Sequence, residues 1–160
     1  MGFATTDLLD AHPEAQACEP RFADFGGRVA FHGPIATASV FEDNALVRGA
    51  LETAGRGRVL VVDGGGSTRC ALLGGNLARL GLENGWTGVV LNGCVRDSEE
   101  IAAIAIGVKA LGKHPRKSAK GVFGGRSDEV VVFAGVAFRP GAWLYADADG
   151  IVVSETPIHA

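Results

Sequence analysis

Two short apolar runs constrain the fold of this chain more than anything else in it. Val59-Leu60-Val61-Val62 and Gly88-Val89-Val90-Leu91 contain no polar residue and are rich in β-branched side chains. A strand with one wet face alternates apolar and polar residues, whereas a strand that does not alternate is covered on both faces. Between the runs lie a glycine turn, Gly64-Gly65-Gly66, and a helix-patterned segment interrupted at Gly74-Gly75. Its second half, Asn76 to Glu83, carries Leu77, Leu80 and Leu82. A further helix is expected from Ser98 to Ala105 and a third strand at Val108 to Leu111. The middle of the chain therefore reads β-α-β-α-β, the pattern of a sheet with crossover helices.

The flanks read differently. Thr6 to Ala11 is a short capped helix stopped by Pro13, and Asp43 can cap a helix from Asn44 to about Thr53. Val29 to Phe41 holds two strand-like pieces divided by Gly33-Pro34, and Val130 to Phe138 is strong strand sequence. Trp143 to Ala146 and Ile151 to Val153 form a hairpin-like pair around Asp147-Ala148-Asp149-Gly150. These ends argue for a second, more antiparallel layer. With no internal repeat and no linker, residues 1–160 are expected to form one compact α/β domain with more than one sheet layer.

Composition removes several classes of protein. No apolar stretch reaches the roughly 18 residues a membrane span needs. Met1 to Ala11 has Asp7 and Asp10 and no basic cluster, unlike a signal peptide, so a cytoplasmic location is expected. Cys18, Cys70 and Cys94 are odd in number and show no Cys-x-x-Cys spacing, against a disulfide framework or structural zinc. The net charge of -3 gives no general attraction to nucleic acid. All four lysines, Lys109, Lys113, Lys117 and Lys120, nevertheless fall in one segment that also holds Arg116 and no acid. Such a run is a solvated loop or a local anion patch, and without interleaved aromatics direct nucleic-acid binding is not expected.

Asp63-Gly64-Gly65-Gly66-Ser67 follows a buried strand, a common place for a nucleotide. No Gly-Lys-Ser/Thr follows, and the spacing of a dinucleotide fingerprint is absent. The cluster is read as a tight turn or as one wall of a site.

Chemistry gathers between Gly74 and Glu100. Cleaving a carbon-carbon bond beside the carbonyl of a 2-oxo acid leaves an enolate, so an enzyme must grip the carboxylate and stabilise that oxygen. Arg96 can grip a carboxylate through two parallel hydrogen bonds. Backbone amides around Gly75, Asn76 and Leu77 can add donors at a helix start. Asp97 can hold a divalent cation such as magnesium or manganese, for which one carboxylate suffices. The competing reading is local: Asp97-Ser98-Glu99-Glu100 has the pattern of a capping box, and Asp97 would then only start a helix.

Several separated stretches resemble the RraA-like family, that is, regulator of ribonuclease E activity A and its relatives, including 4-hydroxy-4-methyl-2-oxoglutarate aldolases. They are Arg58 to Ser67, Gly88 to Asp97 and Tyr145 to Val153, with Phe25-Gly26-Gly27 and Phe41-Glu42-Asp43-Asn44 also matching. The resemblance implies a swivelling β/β/α-type domain that assembles as a homotrimer or hexamer with sites near subunit contacts. It implies a divalent-metal lyase that releases pyruvate from 4-hydroxy-4-methyl-2-oxoglutarate-type acids, decarboxylates oxaloacetate, or both, with Gly74 to Leu77 and Arg96 binding substrate and Asp97 contacting the metal. Many aldolase-type members carry an aspartate where this chain has Gly75, so one carboxylate of that pattern is missing. The other function in the family is inhibition of ribonuclease E through a protein-binding surface, which needs no catalytic pair.

Overall fold

The computed structural model describes residues 2–159. The chain enters through α1 (Thr5–Ala11), β1 (Gln16–Ala17) and β2 (Ala23–Asp24), then β3 (Phe31–Val40), α2 (Ala45–Leu51) and β4 (Val59–Asp63). Next come β5 (Ala71–Leu73), α3 (Gly75–Glu83), β6 (Gly88–Val95), α4 (Ser98–Ala102) and β7 (Gly107–Lys113). The last third is all strand: β8 (Gly125–Ser127), β9 (Val131–Phe133), β10 (Val136–Phe138), β11 (Trp143–Asp147) and β12 (Gly150–Ser154). No helix among the described residues is long and apolar enough to cross a membrane.

Strands β3, β4, β6 and β7 run parallel, while β11, β12 and β1 continue the same sheet antiparallel from β3. The buried side chains of β4 alternate between two cores. Leu60 and Val62 pack on the helix side with Val47, Leu77 and Ile101, and Val59 and Val61 pack with Phe138, Leu144 and Val153 of the antiparallel layer. Cover on both faces is why the run has no polar residue. The result is the expected β/β/α layering: antiparallel strands, parallel sheet, helices.

Four expectations are corrected. Gly33-Pro34 does not break the chain, because β3 is one strand of ten residues. Phe31 to Pro34 pair with β11, and Ile35 to Ser39 pair with β4. Proline, which has no N–H, falls where the ladder changes partner. The first half of the segment before Gly74 is not helix. Ala71-Leu72-Leu73 is fully buried and pairs with the end of β6, leaving α3 to begin after Gly74. The helix expected to Ala105 stops at Ala102, and the residues beyond it unwind so that the carbonyls of Ile104 and Ile106 accept from Gly27 and Arg28. Val130 to Phe138 is a hairpin. Ala134 and Gly135 both take positive φ, 51° and 75°, as a two-residue turn requires.

One close approach fixes the sheet's lower edge. The Phe31 ring lies where Cβ atoms on Gly88 and Gly107 would stand, at 2.3 and 2.0 Å, so these paired positions of β6 and β7 admit no side chain.

Candidate active site

The carboxyl ends of β5 and β6 meet the start of α3, where open α/β sheets place their ligands. The Arg96 amide donates to the Leu73 carbonyl at 2.9 Å, which ties the residue after β6 to the residue before α3. Asp97 then turns left-handed, with φ 57° and ψ 45°. That conformation is costly for a residue other than glycine and is found where the surroundings impose it.

The turn aims the Asp97 side chain away from its own helix. No side chain caps α4; instead Asp97 Oδ2 accepts the Gly75 N–H at 3.0 Å and so caps α3. The capping-box reading is therefore corrected: Asp97 serves the neighbouring helix. Glu100 likewise turns to α3, accepting from Arg79 at 2.9 Å.

Gly74, Asn76, Leu77, Arg96 and Asp97 line one cavity of about 350 Å³. Gly75 does not line it, since its N–H is taken by Asp97. The amides of Asn76 and Leu77 have no protein acceptor among the described residues, so they remain as donors at the helix start. Facing them are Arg48, Lys117 and Lys120, none of which was singled out from the sequence as a site residue. The acid-free lysine run, read as a solvated loop or a local anion patch, was the available signal, and two of its lysines line the cavity.

Asp97 is tested as a metal ligand by what its carboxylate has left. Oδ2 is engaged by Gly75, while Oδ1 has no hydrogen-bond partner among the described residues. Those residues include no group of three His, Cys, Asp or Glu side chains that could hold a metal. The donor set fits a hard cation that keeps most of its water, such as magnesium, and does not fit a closed nitrogen and sulfur site.

Gly75 has a steric reason. A Cβ there would stand 2.3 Å from the Glu100 carboxyl carbon and 2.4 and 2.6 Å from its oxygens. Glu100 fills the space in which a residue-75 side chain would begin. Gly75→Asp should therefore lower the melting temperature by roughly 3–6 °C, about 1–2 kcal/mol of overpacking. Adding Glu100→Ala should recover most of that loss; equal melting of the two variants would show that Glu100 yields freely.

The other candidates resolve simply. Asp63 Oδ1 accepts from the Gly65 amide at 2.9 Å and from Asn92 Nδ2 at 3.0 Å, closing the glycine cluster as a turn, with φ of 67° and 75° at Gly65 and Gly66. Cys94 is a buried residue of β6 whose thiol is pushed up by burial. Lys109 is buried, donating to the Asp147 carbonyl at 2.6 Å and pairing with Asp24 at 3.1 Å, and so pins β2 to the sheet.

This is a β/β/α domain that brings an arginine, an aspartate and open helix-start amides together in one cavity, a donor set suited to a small anion. The RraA-like family (Aldolase/RraA) matches residues 5–153, and the chain belongs to that family. It is 59% identical over 159 residues to an Alkalilimnicola ehrlichii protein provisionally named 4-hydroxy-4-methyl-2-oxoglutarate aldolase, covering 99% of this chain and 98% of that one. A Burkholderia mallei protein with the same provisional name is 58% identical over 161 residues, covering 97% of each. Among solved structures, the RNA-processing inhibitor RraA from Thermus thermophilis superposes with a TM-score of 0.96 at 51% identity, over 100% of this chain and 97% of that one. A Geobacillus kaustophilus structure named S-adenosylmethionine:2-dimethylmenaquinone methyltransferase gives 0.95 at 52%, over 98% and 97%. Three different names on one fold mean that the site has to decide the chemistry.

Proposed function

We propose that this chain is a divalent-metal-dependent lyase that releases pyruvate from 4-hydroxy-4-methyl-2-oxoglutarate-type acids and decarboxylates oxaloacetate. The observation that carries the reading is the convergence of Arg96, Asp97 and the open amides of Asn76 and Leu77 on one cavity. The aldolase names of the relatives support it.

The roles follow from the donors. Arg96 grips the carboxylate next to the carbonyl, and the helix-start amides add to that grip. Asp97 Oδ1 is the group that would hold a magnesium or manganese ion. When bound, that ion supplies Lewis acidity for the enolate oxygen. Arg48, Lys117 and Lys120 face the second carboxylate of the substrate. In the retro-aldol direction the bond between C3 and C4 breaks, its electrons pass to the pyruvate enolate, the C4 hydroxyl gives its proton to water as it becomes the carbonyl of one pyruvate, and C3 of the enolate takes a proton from water to give the second. Asp97, engaged by the Gly75 amide, is fixed before substrate arrives.

The test is pyruvate release with magnesium or manganese, with and without chelator, in wild type and Asp97→Ala. A chelator-sensitive rate that falls at least a hundredfold in Asp97→Ala is expected. Equal, chelator-insensitive rates in both proteins would reject the reading.

A second reading is kept on a specific likeness. Besides the Thermus thermophilis protein, a Streptomyces coelicolor RraAS2 structure, a member of the RNase ES inhibitor RraA family, superposes at 0.79 with 27% identity, over 96% of this chain and 81% of that one. Inhibition of ribonuclease E by this chain would use a surface rather than the cavity. Val122 and Phe123, 70% and 65% exposed, are apolar side chains that such a contact, or a homotrimer, would cover. Unchanged ribonuclease E cleavage at saturating protein would count against it.

A further inference from the structure

The arginines and lysines of the chain fall into two groups. Seven of them lie within 4 Å of a carboxylate. The other eight lie near none among the described residues; Arg28, Arg56 and Arg58 stand before β3 and β4, and the remaining five, Arg96, Lys113, Arg116, Lys117 and Lys120, share one region. Lys117 and Lys120 line the cavity with Arg96, while Lys113 and Arg116 border clefts on the outer side of the same arginine. Of the acids close by, Glu42 pairs with Arg69 and Glu100 with Arg79, and Asp43 is taken up by the amides of Gly121, Val122 and Phe123, which leaves Asp97 and Glu99 against five cations.

The backbone holds this cluster in place without help from the charges. The His114 amide donates to the Val95 carbonyl at 2.9 Å, the Arg116 amide to His114 Nδ1 at 3.1 Å, and the Arg116 carbonyl accepts from Ala71 at 2.8 Å. A strap is thus laid across the ends of β5 and β6 with its side chains left unpaired. Crowded like charges repel one another. The chain as a whole is net negative at -3, so this positive field is local to the cavity mouth.

We propose that Lys113 and Arg116 are steering residues that concentrate polyanionic oxo-acids at the cavity and favour a dianion over a monoanion. They act through the field and do not touch the reacting atoms. The proposal rests on the lyase reading for its substrate class. A charge at about 10 Å acts weakly through water, but reversing two such charges against a dianion amounts to roughly fiftyfold at 10 mM ionic strength and about fivefold at 150 mM.

The experiment measures oxaloacetate decarboxylation against ionic strength in wild type, in Lys113→Glu/Arg116→Glu, and in the control Arg28→Glu/Arg56→Glu. The control makes the same charge change just before β3 and β4, at the opposite end of the parallel strands. The site variant should lose about fiftyfold in kcat/KM at low salt and a few-fold at physiological salt, with kcat within twofold of wild type. The control should follow wild type at every salt. Binding of oxalate, measured by calorimetry over the same salt range, separates the two ideas. No pyruvate release by wild type, with oxalate still bound more weakly by the site variant than by the control, would overturn the lyase and leave the steering. Equal oxalate affinity and equal salt dependence in site variant and control would overturn the steering, whatever the turnover.

Discussion

Arg96→Ala is expected to lower kcat/KM for the proposed pyruvate release about a thousandfold, roughly 4 kcal/mol of lost transition-state stabilisation. The side chain lines the cavity and has no ion-pair partner among the described residues, so its fork is available to a ligand. In the proposed binding mode, truncation would leave the substrate carboxylate facing only the amides of Asn76 and Leu77. Arg96→Lys keeps the charge but loses the two-point grip, and is expected to recover only part of the rate. The Arg96 amide bond to Leu73 survives either change, so the fold should persist, and a melting temperature within a few degrees of wild type would confirm that the loss is chemical. A coupled pyruvate assay gives the number directly. A loss of less than tenfold in Arg96→Ala would mean that the carboxylate is gripped elsewhere.

Asp43→Ala has the largest expected effect on stability. The Asp43 side chain is almost wholly buried, and its two oxygens accept from the amides of Ala45, Gly121, Val122 and Phe123 at 2.6 to 3.0 Å. Those bonds, that to Gly121 foremost, hold the carboxyl well below the usual carboxylate range. Removing the acceptor takes the charged partner from four backbone N–H groups at once, which costs about 3 kcal/mol. For a domain of this size the melting temperature should drop by about 9 °C. The sign of the pH dependence follows from the depressed pKa. The stabilisation is complete above the unfolded carboxylate value, near about 4, and is lost as the pH falls toward the lower folded value. The melting gap between wild type and Asp43→Asn should therefore be constant at neutral pH and narrow below about pH 4. A gap that persists unchanged at pH 3 would mean that the ionised form is not what holds the loop.

What could be read from the sequence was what repeats on the scale of one element. The runs at Val59 and Gly88 announced strands buried on both faces, and the structure shows both cores that bury them. The pairing of Arg96 with Asp97 was visible as chemistry. Its orientation was not, because the capping-box pattern and the cap of the neighbouring helix use the same aspartate, and only the left-handed turn at Asp97 separates them. Ala71-Leu72-Leu73 was misread because three apolar residues fit either period, and the choice is made by pairing with β6 from more than twenty residues away. Arg48, Lys117 and Lys120 come to the cavity from elements far apart in the chain, so no spacing rule could assemble them. Gly75 looked like a loss and proves to be a fit, since its missing side chain is the room taken by Glu100.

Strand β3 has a consequence for how this protein comes apart. Its first four residues belong to the antiparallel ladder and the rest to the parallel one, so both layers depend on the same ten residues. The two layers are therefore expected to lose structure in a single cooperative transition, read as coincident melting by near- and far-ultraviolet circular dichroism.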